Sequence, residues 1–295
     1  MSVRYKYPML DPYVLRADGT WTPPVPVAHR DEDYDSSGFA SLREIQNRHF
    51  WYRGRHRFLL HFTRQIVGDF RRRGIRPAAV DLGGGCGGWV GYLARHVGSE
   101  FAEIALADSS TTALALASDS LPAGAKRYQI DLLNLQWSER WDLAFLLDVV
   151  EHIEEDERVL CQARDAVRPG GTIVVATPAL ESFRSGIDAM SHHVRRYARR
   201  DFDRLAQAAG LELVVTRYFM FFLSPLLWLA RLRGPDPAHM TPADIRRYLD
   251  QADRIPAAPI NAALSAIFSA ETPIGAWCPF PWGTSVLAVF RRPQR

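Results

Sequence analysis

From residue 41 onward the apolar positions follow two alternating rhythms. Residues 41–67, SLREIQNRHFWYRGRHRFLLHFTRQIV, repeat their apolar side chains at helical spacing, with Gly54 as the expected interruption. Ser41, with Glu44 three residues on, reads as the capping box that opens this stretch. Residues 78–80 then form a short apolar strand ending on Asp81 and Leu82, and a glycine run, 83–88, leads into a helix starting near Trp89. Beyond it, residues 103–108, 127–131, 141–148 and 172–176 read as strands, with helices over 111–118 and up to Ala166 between them. Residues 201–209 make a further helix capped by Gly210, and 211–218 and 284–291 are late strands. Such alternation predicts right-handed βαβ crossovers. The expected fold is α/β: a Rossmann-like, doubly wound, mostly parallel seven-stranded sheet with an antiparallel last strand, N-terminal helices and a helical lid inserted at about 220–283. Residues 1–40, with Pro8, Pro12, Pro23, Pro24 and Pro26 and no sustained period, read as an extended arm before a domain spanning 41–295.

Composition adds limits. A chain of 295 residues, 47% apolar and 23% charged, buries a full core, and a net charge of +3 gives no ground for a nucleic-acid partner. The arginines between Arg48 and Arg76 make either one basic face or a solvated helix surface. Cys86, Cys161 and Cys278 match no metal-binding spacing and read as reduced thiols of a cytoplasmic protein. The N-terminus lacks the apolar core of a signal peptide, and the longest apolar run, 218–230, falls short of the roughly 20 residues that span a bilayer.

The glycine run carries the chemistry. It fits G-x-G-x-x-G as Gly83, Gly85 and Gly88, the pattern of a dinucleotide site, and G-x-G-x-G ending on Gly87, the pattern of an S-adenosylmethionine site. Spacing does not separate them; charge does. The early strands end near Asp81, Asp108, Asp131 and Asp148, an acidic edge that opposes a pyrophosphate and favours an ammonium and a sulfonium.

VDLGGGCGG (80–88), ALAD (105–108), ID (130–131), WDLAFLLDVVEHI (141–153) and VRPGGTIVVATP (167–178) together resemble the class I S-adenosylmethionine-dependent methyltransferases. HFWYRGR (49–55), HHVRRY (192–197) and PFPWGTSVLAVFRRP (279–293) are similar to the bacterial branch related to ubiquinone-type O-methyltransferases. The resemblance covers about 48–293 and leaves the first 40 residues outside; the family's usual GCG stands here as Gly83-Gly84-Gly85.

Carried over by position, it implies that Gly83, Gly85 and Gly87 line the methionine end of the cofactor, with Asp81 near its ammonium. Asp108, with Ser109 beside it, would bond the ribose hydroxyls, Asp131 and Leu132 would flank the adenine, and Leu147 and Asp148 would line the pocket floor. Arg55 is the match for an arginine that pairs with the cofactor carboxylate, Arg53 the alternative.

Methyl transfer from a sulfonium is an in-line displacement, which needs alignment and, for a hydroxyl or protonated nitrogen, a base. His152 and His193 are the candidates, with His192 the weaker neighbour. Asp148, Glu151 and His152 stand at i, i+3 and i+4, which on a helical turn would let them hold a divalent ion with His193.

Trp51, Tyr52, Tyr197 and Phe222 are the expected acceptor wall, which suits a small, partly apolar or aromatic natural-product-type metabolite methylated on O or N. Three rivals stand beside this reading. The first is a lipid-linked glycan or quinone precursor methylated at a membrane surface, which the apolar stripe with Arg231 and Arg233 would touch. The others are an NAD(P)-dependent oxidoreductase and a catalytically silent binding module.

Overall fold

The computed structural model describes residues 12–31, 34–231, 235 and 237–294. A hairpin comes first, β1 (Val14–Leu15) and β2 (Thr20–Thr22), turned at Gly19 with φ +80°. Helices α1 (Phe39–Ile45) and α2 (Phe50–Arg72) follow. The alternating core then runs β3 (Ala78–Leu82), α3 (Gly88–Val97), β4 (Glu103–Asp108), α4 (Thr111–Ala117), β5 (Lys126–Gln129), β6 (Trp141–Leu147), α5 (Asp156–Ala166) and β7 (Val167–Pro178). Next come α6 (Gly186–Met190), α7 (Arg199–Ala209), β8 (Glu212–Phe219), α8 (Ser224–Arg231), α9 (Pro242–Ala252), α10 (Ala258–Trp277) and β9 (Ser285–Arg291).

The strands form one sheet in the order β1-β2-β5-β4-β3-β6-β7-β9-β8. Strands β5, β4, β3, β6 and β7 are parallel neighbours, and β9 enters antiparallel between β7 and β8. This is the expected doubly wound pattern, but with nine strands rather than seven. The two extra strands come from the arm: β2 pairs in parallel with the edge strand β5, Thr20 opposite Arg127 and Trp21 opposite Tyr128. Tyr13 fastens it, buried with its ring centroid 4.9 Å from Trp137 and 5.3 Å from Tyr128.

Alternation along the strands divides the core in two. Val80, Leu82, Ala144, Leu146, Ile173 and Val175 face α5 and α7, whereas Ala79, Leu143, Phe145, Leu147, Val174 and Ala176 face α2 and α3. Apolar side chains on both faces are what a parallel sheet covered by helices requires.

Three local expectations change. Ser41 lies inside α1, whose N-cap is Gly38 with no side-chain cap. The helical stretch breaks at residues 46–49, not at Gly54, and the His49 ring caps α2 by accepting from the Trp51 N–H at 3.2 Å. Gly54 sits within α2 because the fully buried Phe268 ring of α10 lies where a side chain would project. The insertion after β8 is helical, as expected, but α10 packs on α2 and β8 as part of the body, while α9, the residues just after it and Leu227 of α8 lie beside the cavity described next.

Candidate functional site

The strand order reverses beside β3, since β4 and β5 lie to one side of it and β6 and β7 to the other. Ligands of open α/β sheets bind beyond the carboxyl ends of the strands at such a point. A cavity of about 910 Å³ opens there, and Asp81, Asp108, Asp131 and Asp148 all line it. The acidic edge read from the sequence is therefore one wall of a single space.

The glycine run bends under this wall. Gly83, Gly85 and Gly87 have φ of +73°, +55° and +74°, a conformation strained for any residue with a Cβ. A Cβ on Gly84 would collide with the Asp81 carboxylate, and one on Gly83 would come within 2.8 Å of Val149. Gly83, Gly84 and Gly85 line the cavity; Gly87 does not, because it turns away as the N-cap of α3.

Asp81 is 2% exposed, and its Oδ1 has no protein hydrogen-bond partner. Burial pushes its carboxyl up to about 7, against the opposing pull of Arg55. Asp108 is held by the loop it faces: Oδ2 accepts from the Gly85 N–H and Oδ1 from the Ser110 N–H, each at 2.8 Å. Burial still raises its carboxyl above the usual range. The Ser109 hydroxyl is 2.7 Å from Nδ1 of His29, so the arm reaches this corner. Asp131 accepts from the Leu133 N–H at 2.9 Å, and Leu132 and Leu147 complete this side of the lining.

Arg55 is buried and Arg53 is exposed, so Arg55 is the arginine of α2 available to the cavity. Its Nη2 stands 2.7 Å from Oδ2 of Asp148, and its guanidinium lies 5.3 Å from the centre of the Trp51 ring. Asp148 has φ +56°, a strained conformation for an aspartate at the end of β6. Burial raises its carboxyl, with Arg55 pulling the other way.

Two histidines stand beside Glu151 in the same cavity. The His152 and His193 rings meet edge to face, centroids 4.7 Å apart, and both line the cavity. Nδ1 of His193 is 3.0 Å from Oδ1 of Asp188 in α6. Glu151 is fully buried, neither carboxylate oxygen has a protein hydrogen-bond partner, and burial with Asp148 nearby pushes its carboxyl well above the usual range. Glu151, His152 and His193 each bring one donor atom within 4.8 Å of the others, the group among the described residues that fits around a metal ion. Asp148 is outside it because residues 150–152 form a 3₁₀ turn rather than an α-helical one and Asp148 pairs with Arg55.

The four residues expected to form the acceptor wall are not brought together. Trp51 and Tyr52 line the cavity. Tyr197 does not: it is 1% exposed, with its hydroxyl bonded to the Val150 carbonyl and Asp156 at 3.2 and 3.0 Å. Phe222 points outward, 42% exposed, against Phe221 and Phe280. The Arg231 side chain and Arg233 lie outside the described residues, and no described helix is long and apolar enough to cross a membrane.

Sequence reasoning missed His29 and Tyr34 of the arm, His56 of α2, Asp188 of α6, and Ile245 and Leu249 of α9, all of which line the cavity. His56 follows Arg55 directly in a helix already chosen, which was a usable signal. The arm and α9 gave none, being placed by contacts far along the chain.

Comparison with known proteins agrees with this geometry. Among solved structures, the chain is similar to the Haloferax volcanii methyltransferase solved with the Trm112 methyltransferase activator (15% identity, 90% of this chain and 98% of that one, TM-score 0.55). It is also similar to the Haemonchus contortus phosphoethanolamine N-methyltransferase 2 solved with phosphomonomethylethanolamine and S-adenosylhomocysteine (18% identity, 93% and 62%, TM-score 0.52). At these identities the likeness establishes the fold. No curated protein matches. The family profile described as a methyltransferase domain matches residues 45–216, more than half of the chain and the whole of the glycine loop, acidic edge and histidine pair. The chain belongs to the methyltransferase-domain family.

Proposed function

We propose that the protein transfers the methyl group of S-adenosylmethionine to an oxygen or nitrogen of a small, partly apolar or aromatic metabolite. The observation that carries this reading is one continuous cavity lined by a glycine loop and buried carboxylates together with histidines and aromatic rings. A binary reaction of this kind needs both halves in a single water-poor space.

The residues fit the cofactor. Asp81 has a buried oxygen without a partner, suited to an ammonium, and the close approach of Gly84 to it leaves room for no side chain. Asp108 accepts from the Gly85 and Ser110 N–H groups, and its carboxylate has acceptor capacity left for a ribose hydroxyl. Asp131 and Leu132 are the candidates for the adenine, and Arg55 for the cofactor carboxylate, in exchange for or alongside Asp148. When bound, the cofactor supplies an electrophilic methyl group on a positively charged sulfur.

The chain's own residues then have three tasks. Trp51, Tyr52 and Tyr34 hold the acceptor's apolar body. His193, with His152 beside it, takes the proton from the acceptor heteroatom. Helix α9 and the arm exclude water.

Calorimetry with S-adenosylhomocysteine, NAD⁺ and NADP⁺, followed by incubation of a metabolite extract with methyl-labelled S-adenosylmethionine, tests the reading. Homocysteine-form binding and a labelled low-mass product are expected. Binding of a nicotinamide nucleotide without S-adenosylhomocysteine would overturn it in favour of an oxidoreductase. Cofactor binding without any labelled product would leave a silent binding module.

A further inference from the structure

The carboxylate behind His193 has no part in the reading above, yet its surroundings are fully specified. Asp188 is 1% exposed and spends both oxygens on short polar contacts. Oδ1 faces Nδ1 of His193 at 3.0 Å and accepts from Nε of Arg196 at 2.8 Å. Oδ2 accepts from the Ser185 N–H at 2.8 Å and the Ser185 hydroxyl at 3.3 Å. The His193 backbone N–H also donates to the Asp188 carbonyl at 2.8 Å, and Arg196 is anchored on the Ala179 carbonyl at 3.0 Å. The turn from 188 to 193 is thus closed through both main chain and side chain, and four polar contacts hold the carboxylate in place.

We infer that Asp188 is the positioning residue for His193: by accepting the Nδ1 proton it fixes the tautomer whose Nε2 presents its lone pair to the cavity. The reasoning is one of hydrogen-bond inventory. An ionised carboxylate only accepts, so the ring nitrogen facing it must carry the proton. Burial favours the neutral acid, but the contacts from His193, Arg196 and Ser185 outweigh it and hold Asp188 ionised. A neutral imidazole protonated at Nδ1 has Nε2 free to accept.

A helix cap alone does not account for this arrangement. Oδ2 by itself serves Ser185, and α6 is only five residues long. Oδ1 is instead aimed at a histidine of the cavity lining.

Other groups also face His193. His152 and Glu151 lie on the turn after β6, and Asp148 at its start acts on it electrostatically. Nη1 of Arg184 contacts its carbonyl at 3.3 Å. The hydrogen bond recorded at Nδ1 is the one to Asp188, and the tautomer follows from it.

The use of the lone pair rests on the proposed methyl transfer. As the acceptor heteroatom takes the methyl group its O–H or N–H bond breaks, and the proton passes to Nε2. The positive charge lost by the sulfonium ends on the imidazolium, held opposite the Asp188 carboxylate.

The test reads the tautomer directly and needs no acceptor. Protein labelled with ¹⁵N-histidine is examined by long-range ¹H–¹⁵N correlation at a pH where the ring is neutral, and His193→Gln identifies the His193 signals by their loss. The expected wild-type pattern has Nδ1 protonated and Nε2 bare. In Asp188→Asn the preference falls about tenfold, the difference between a charge-assisted and a neutral hydrogen bond. The thermal unfolding transition of that variant, set beside that of the wild type, reports whether the fold is intact. A wild-type ring protonated at Nε2 overturns the inference even if the variant does not fold, and so does a folded Asp188→Asn with an unchanged tautomer. Failure of the wild type to bind S-adenosylhomocysteine would sink the methyl-transfer reading alone.

Discussion

Replacing Asp81 with asparagine separates the needs of folding from those of binding. A carboxyl raised from 3.8 to about 7 by burial costs the folded protein about 3 × 1.36, or about 4 kcal/mol, when it ionises. The sign follows from linkage. The folded state holds this proton more tightly than the unfolded chain, so the stability it confers is complete below pH 3.8 and is lost as pH rises through about 7. At pH 8 the ligand-free Asp81→Asn protein is therefore expected to be more stable than the wild type, by up to about 4 kcal/mol, with the gain shrinking toward pH 5. Binding runs the other way, because only ionised Asp81 pairs with the cofactor ammonium. The competent fraction is about ten-elevenths at pH 8 and about one-eleventh at pH 6, so affinity for S-adenosylhomocysteine falls about tenfold between them. Titration calorimetry across this range, beside urea unfolding of both proteins, measures both arms, and the variant isolates Asp81 from the histidines of the same cavity. An Asp81→Asn protein that keeps the full wild-type pH dependence of binding would refute the assignment of the ammonium to Asp81.

Three further changes probe other parts of the molecule. Asp108→Ala is expected to weaken S-adenosylhomocysteine binding by about 1–3 kcal/mol, the scale of a lost buried hydrogen-bond partner; unchanged affinity by calorimetry removes the ribose from that corner. His29→Ala deletes the contact between the arm and Ser109 and should cost about 0.5–1.5 kcal/mol of the same affinity, whereas no change would detach the arm from the cofactor half of the cavity. Gly54→Ala forces a methyl group into the Phe268 ring, and overpacking of about 1–3 kcal/mol should exceed the roughly 1 kcal/mol gained in helix propensity. Urea midpoints decide that case, and a stabilised variant would contradict the close α2–α10 contact.

The parts legible in the sequence were those encoded locally. Residues 78–82 and 141–147 announce buried parallel strands because apolar side chains serve both faces, and the acids at their ends fall together once the strands are parallel. Asp81, Asp108 and Asp148 follow from this pattern, Arg55, His152 and His193 from the motifs of the family resemblance, and all six share one cavity. What was not legible depended on partners distant in the chain. Strands of two and three residues carry no alternation, so β1 and β2 passed for an irregular arm. Gly54 looked like a helix break because the ring that demands a glycine there lies more than 200 positions away, at Phe268. Tyr197 stands four residues from His193 in the HHVRRY motif but turns into the core to meet Asp156. Asp188 leaves no trace in a pattern scan, since its role comes from a five-residue turn and from Arg196 crossing it.

The edge pairing of β2 has a consequence for the order of assembly. Asp18 receives a hydrogen bond from Arg127, 109 positions later, and Thr20 pairs beside it. A hairpin of this length is not stable alone. At translation speeds of about 5–20 residues per second, the arm waits roughly 5–20 s for its dock to be made. His29 likewise meets Ser109 80 positions later, so the part of the cavity wall that the arm supplies forms only after residues made well behind it have emerged.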